Sequence, residues 1–240
     1  MTSIPRAATL SLWLGAWLRG AAALDDVLDS FDPDLHHVFV GLDPEHSLVP
    51  LDALGAIRPL DTGVSLALTA PGDPAGLAGP TSFNTVAMDA GEAVLLPGAR
   101  LGIVPLLVGG ALEWRCMPAN PPAPTDRRGA RQHLQATLSA VTAELAQLQI
   151  ATWSAEIPDL LMNPEGPLHL PASLARQDAE VIASAALCLE IADAATRIEP
   201  GAISAWERSR FDDAIRRLSS AARHALVAVC GSASDSLTSP

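Results

Sequence analysis

Residues 92–117, Glu-Ala-Val-Leu-Leu-Pro-Gly-Ala-Arg-Leu-Gly-Ile-Val-Pro-Leu-Leu-Val-Gly-Gly-Ala-Leu-Glu-Trp-Arg-Cys-Met, hold three short apolar segments separated by Pro97-Gly98 and Gly109-Gly110. Segments of this length bounded by turn dipeptides read as strands. The stretch predicts strands at Glu92–Leu96, Leu101–Val108 and Ala111–Met117, joined as an antiparallel meander, with Trp114 and Cys116 at alternate positions on the last.

Upstream, Val64–Thr69 alternates as a strand with Val64, Leu66 and Leu68 on one face, and Leu35–Val40 reads as another. Pro44, Pro50, Gly55 and Pro59 break residues 41–61, which leaves room for short extended pieces only. Pro71 to Pro80 is a loop, after which Thr81 or Ser82 caps a short helix to about Ala90, with Gly91 in the left-handed position that ends it. Leu10, Leu14, Trp17, Ala21, Leu24, Leu28 and Phe31 alternate spacings of four and three, and Arg19, Asp25, Asp26 and Asp29 avoid those positions. This predicts one amphipathic helix over about 5–31, stopped at Asp32-Pro33.

Downstream, Pro121, Pro122 and Pro124 mark a linker, and everything beyond reads as helix. A helix over about 128–150 carries Leu134, Leu138, Val141, Leu145 and Leu148 as its stripe. A proline-marked connection runs from Ile157 to Pro171, and Ser173 then caps a helix that is apolar nearly all round from Val181 to Ile191 and is therefore expected to be buried. Ser204 and Glu207 form a capping box for the last helix, with Trp206, Phe211, Ile215, Leu218, Leu226 and Val229 facing inward. The expected fold is α+β: residues 1–118 a small, mostly antiparallel sheet with an N-terminal helix and one short helix, 119–127 a linker, 128–231 three helices, and 232–240 a disordered tail. Five short strands leave one sheet face in need of cover, so a homodimer or a protein partner is expected there.

Composition narrows the chemistry. The 240 residues include no lysine and no tyrosine, which excludes Schiff-base catalysis, the P-loop lysine, serine–lysine nucleophiles and phenolic acid–base catalysis. Hydrophobic residues make up 49% and charged residues 18%, so the chain folds rather than staying disordered. A net charge of −12 repels phosphate backbones. Of the two arginine groups, Arg127, Arg128 and Arg131 form one cluster; Arg208, Arg210, Arg216, Arg217 and Arg223 form the other, where Asp212 and Asp213 stand four residues before Arg216 and Arg217. No nucleic-acid partner is expected. Three cysteines without a CxxC pair encode neither a disulfide framework nor a zinc knuckle and fit a reducing cytoplasm. Arg6, the apolar run Ala7–Leu18 and Ala21-Ala22-Ala23 imitate a secretory leader, but Arg19 interrupts it and the helical stripe continues past it, so a soluble, uncleaved cytoplasmic chain is expected. No apolar run reaches the about 18–20 residues of a membrane span.

Gly72-Asp73-Pro74, Gly76-Leu77, Gly79-Pro80, Phe83, Ala90-Gly91-Glu92-Ala93-Val94, Trp114 and the proline-rich break after it resemble an uncharacterised group of conserved actinobacterial proteins, over most of the chain. The resemblance implies no activity, cofactor or substrate.

Three candidate sites remain. Gly72, Asp73, Gly76 and Gly79, with Thr81 and Ser82 at the start of the following helix, form a strand–loop–helix connection whose N–H groups could hold an anion or small ligand. The spacing matches neither the dinucleotide fingerprint nor a P-loop, and Asp73 opposes a phosphate. Asp32, Asp34, His36, His37, Asp43, Glu45 and His46 gather metal-ligand types, but His36 and His37 point to opposite faces of one strand; no metal and no cofactor are expected. For nucleophilic catalysis there is no G-x-S-x-G elbow. Cys116, Cys188 and Cys230 read as small core residues, Cys116 with His133 or His169 remaining open as a distant pairing, and Glu156, Asp159 and Glu165 near Trp153 read as loop acids. No catalytic residue is assigned. The function this favours is a non-enzymatic interaction or regulatory module, the alternative being a ligand-binding protein or enzyme centred on the loop 71–80.

Overall fold

The computed structural model describes residues 4–147, 168–197 and 205–231. In chain order the elements are α1 (Arg6–Leu18), α2 (Leu24–Leu28), β1 (His36–Val40), α3 (Pro50–Ile57), β2 (Ser65–Leu68), α4 (Thr81–Ala90), β3 (Glu92–Leu96), β4 (Leu101–Val108), β5 (Ala111–Pro118), α5 (Arg127–Gln147), α6 (Arg176–Arg197) and α7 (Ala205–Gly231). The class is α+β. The described residues divide into two compact units, one comprising 4–125, 169–175 and 227–231, the other 126–147, 168, 176–197 and 205–226.

In the first unit the five strands form one sheet in the order β1-β5-β4-β3-β2. The meander forms where its turn residues place it: β3 pairs with β4, and β4 with β5, antiparallel. β2 adds antiparallel to β3, and β1 lies parallel to β5 with Val38 opposite Glu113 and Val40 opposite Arg115. That one parallel pairing makes an otherwise antiparallel sheet mixed. α1 packs across β2, β3 and β4. α4 packs on the opposite face, where Phe83 and Ala87 meet Ala67, Ala93, Leu95 and Val104. Gly102 is required beneath the Phe83 ring, because a Cβ there would overlap it.

The N-terminal segment departs from the expected single helix. α1 stops at Leu18 because Gly20 takes φ +75°, with its N–H on the Trp17 carbonyl and the Ala21 N–H on the Ala16 carbonyl, both at 2.8 Å. This paired reversal closes a helix, and glycine adopts the left-handed backbone without a Cβ penalty. The four-three stripe therefore breaks at Ala21, which is exposed. α1 is not amphipathic either: Ala7, Ala8 and every residue from Leu10 to Trp17 are buried, as befits a helix apolar on all sides. α2 restarts with the Asp26 carboxylate accepting the Ala23 N–H at 2.8 Å.

Residues 41–61 likewise exceed expectation by a helix. Pro50 begins α3, where its missing N–H costs nothing, Asp52 sits in the positive first turn, and Gly55 lies on the exposed side while Ala53, Leu54 and Ile57 are buried. Thr81 and Ser82 are the first two residues of α4 rather than its cap, which falls to Pro80; Gly91 does hold φ +79° at the other end.

In the second unit α5 buries Leu134, Val141 and Leu145, whereas Leu138 of the same stripe is exposed. α6 starts at Arg176, after a turn at Pro171–Leu174, so Ser173 does not cap it. Its buried side is Val181, Ile182, Ala185, Ala186, Cys188 and Ile191, and Ala183 and Ser184 are exposed, so the helix is one-sided rather than buried all round. α7 turns Ile215 and Leu218 inward, but Trp206 is 62% exposed with the Arg210 guanidinium 5.1 Å above its ring. The arginine pairs also differ from the expected ones. Arg208 meets Asp212 at 3.0 Å and Arg216 meets Asp213 at 2.8 Å, while Arg210 and Arg217 converge on Glu144 of α5, holding that carboxyl below its ordinary range. Leu148, most of the 157–171 connection with its acids and Trp153, Ser204 and the 232–240 tail lie outside the described residues.

Candidate functional site

The loop 71–80 is built largely on its own hydrogen bonds. Ala70 and Asp73 exchange both backbone bonds, at 2.8 and 3.0 Å, around Pro71 and a left-handed Gly72 at φ +79°. Proline followed by left-handed glycine is what a type II turn requires. Gly76, at φ +87°, lies on β2 so closely that a Cβ would come 2.5 Å from the Leu66 carbonyl oxygen. The Leu77 N–H donates to the Pro74 carbonyl at 3.0 Å. The Gly79 N–H donates to Asn84 Oδ1 at 3.0 Å, and the Gly79–Pro80 peptide is cis. Asn120 then ties the loop down: its N–H reaches the Gly79 carbonyl at 2.7 Å, its Nδ2 the Ala78 carbonyl at 3.1 Å, and its Oδ1 accepts from Arg100 Nη2 at 3.0 Å.

Electrostatically this leaves few donors for an anion. The N–H groups of Asp73 and Leu77 are used inside the loop and that of Gly79 by Asn84 of α4, and Pro71, Pro74 and Pro80 have none. The first turn of α4, which has no side-chain cap, adds further donors, with Thr81 and Ser82 exposed on it.

The acidic and histidine-rich segment 32–46 does not converge. His36 is exposed at the start of β1, and His37 is buried on the other face, with Nε2 2.9 Å from the Asp32 carbonyl and Nδ1 3.1 Å from Trp114 Nε1. Asp43 turns back on its own chain, accepting the N–H groups of Glu45 and His46 at 2.8 Å each, which lowers its pKa. Among the described residues no three His, Cys, Asp or Glu side chains come together as a metal set. The three cysteines are buried, and none is in a disulfide. Burial pushes the Cys116 thiol up to about 12 and that of Cys188 to about 11, the opposite of what a nucleophile needs.

A different feature stands out in the sheet. β2 is buried at every position and β3 nearly so, because side chains on both faces are covered; β1 and β5 alternate strictly, His37, Phe39, Leu112, Trp114 and Cys116 being buried and their neighbours only partly. Register puts Val38 and Val40 of β1, Glu113, Arg115 and Met117 of β5, and Leu106 and Val108 of β4 on one face, the face that α4 covers at Ala93, Leu95 and Val104, with Leu106 and Met117 partly buried against the same cluster. Here Val108 is 49% exposed and the Arg115 side chain 43%, and Arg115 Nε donates to Glu113 Oε1 at 2.7 Å. The expectation of an uncovered face named no residues for it, although the alternation at 36–40 and 111–117 was available as the signal.

Family models extend the picture along the chain. The N-terminal domain of Rv1486c-like proteins matches residues 7–128, and the C-terminal domain matches 128–227. The chain belongs to the Rv1486c-like family. Two curated relatives from Mycobacterium tuberculosis, the uncharacterized proteins Rv1486c of strain H37Rv and MT1533 of strain CDC 1551, are each 35% identical over 126 residues, which covers 40% of this chain and 42% of the relative. The chain thus spans less than half the length of the relatives it matches. No solved structure matches it. Within the Rv1486c-like chain, the glycine loop, the His37–Trp114 pair and the half-covered sheet face all fall in the N-terminal family domain.

Proposed function

We propose that this Rv1486c-like chain is a non-catalytic interaction module whose working surface is the face of β5 and β1 bearing Val38, Val40, Glu113 and Arg115. One observation carries the reading: strict burial alternation on two neighbouring strands of a sheet in which β2 and nearly all of β3 are buried on both faces. Val38 and Val40 are half-buried and Val108 of the same face is 49% exposed, and apolar surface left open to solvent marks interaction sites. The high thiol pKa values and the dispersal of the histidines and acids support a non-enzymatic role. A cytoplasmic location belongs to the same proposal, supported by three cysteines outside any disulfide and by the place of α1 inside the sheet unit's core, which a cleaved leader would vacate. No helix among the described residues is long and apolar enough to cross a membrane. Nucleic acid is not the proposed partner, given the net charge of −12 and arginines engaged by Glu144, Asp178, Asp212 and Asp213.

The test is a photo-crosslinking amino acid placed at Val38 in the native host, with Thr85 on the exposed side of α4 as the control position. A discrete adduct from position 38 and none from 85 is expected; adducts from neither, or equally from both, would remove the docking reading.

A second reading rests on the uncapped first turn of α4. An anion or small ligand could sit at Thr81 and Ser82 beside the loop of Gly72, Asp73, Gly76 and Gly79. Thermal unfolding with millimolar inorganic phosphate and a panel of phosphorylated metabolites tests it, since a ligand that binds only the native state raises the midpoint with concentration.

A further inference from the structure

We draw no further inference here: the strongest candidate, the surface patch at the start of α7 where the exposed Trp206 ring lies under the Arg210 guanidinium, carries nothing because nothing in the structure shows what covers it.

Discussion

Trp114 Nε1 donates to His37 Nδ1 at 3.1 Å, joining β5 to β1 across 77 residues of sequence. An Nδ1 that accepts leaves the proton on Nε2, which donates to the Asp32 carbonyl at 2.9 Å. Phe31 stands edge-on to both rings, and Phe39 stacks on Trp114 at 5.8 Å. Trp114→Phe keeps most of the aromatic packing but strands a buried acceptor, so it is expected to cost about 1–3 kcal/mol in urea unfolding. Nitrogen-15 NMR of the histidine ring checks the arrangement directly: the neutral Nε2–H tautomer is expected for His37.

Glu92 Oε2 accepts the Ala7 N–H at 2.7 Å, where the amide end of α1 favours a carboxylate. Burial nonetheless raises the Glu92 pKa, and the Ala7 bond and the charge of Arg6 offset this only in part. The native state therefore holds this proton more tightly than the unfolded chain does. The stabilisation from protonating Glu92 is complete below the unfolded pKa of about 4.5 and is lost as pH rises through the higher native value. Glu92→Gln is expected to remove that part of the pH dependence of unfolding, so the difference in stability between wild type and variant should change across the window just above pH 4.5 and be flat well above it.

Gly76 and Gly72 both have positive φ, at +87° and +79°, but differ in surroundings. A Cβ at Gly76 would press on the backbone of Leu66 and Ala67 at 2.5 and 2.8 Å, whereas nothing lies within 4 Å of one at Gly72. Gly72→Ala is expected to cost about 1 kcal/mol for the left-handed backbone alone, and Gly76→Ala at least twice that. Thermal melts of the two variants side by side provide the measurement.

The thiols of Cys116 and Cys188, raised to about 12 and 11, are almost wholly protonated near neutrality. Both are expected to resist iodoacetamide at pH 8 in the native protein and to react at ordinary rates in urea. Mass spectrometry of pulse-labelled protein reads this, and fast native labelling at position 116 would reopen the question of a nucleophile.

Local chemistry alone determined a good part of this protein. The turn dipeptides Pro97-Gly98 and Gly109-Gly110 place three strands within a residue of where they lie, and Gly91 ends α4, because a tight turn or a left-handed backbone is dictated by the residues that form it. The absence of lysine excluded whole classes of catalysis. Where the reading fell short, two local signals competed. Gly20 overrode a stripe that continued in register past it, and Pro50 began a helix instead of preventing one. Tertiary structure alone decided the rest. The parallel pairing of β1 with β5 brings His37 to Trp114, and nothing in residues 36–40 names a partner more than seventy residues away. The fate of the glycine loop's N–H groups depended on Asn84 within α4 and on the backbone folding back upon itself. The half-open face depended on how far α4, ten residues long, could reach across five strands; a helix covers only what its length and position allow, and neither is written in the strands it leaves bare.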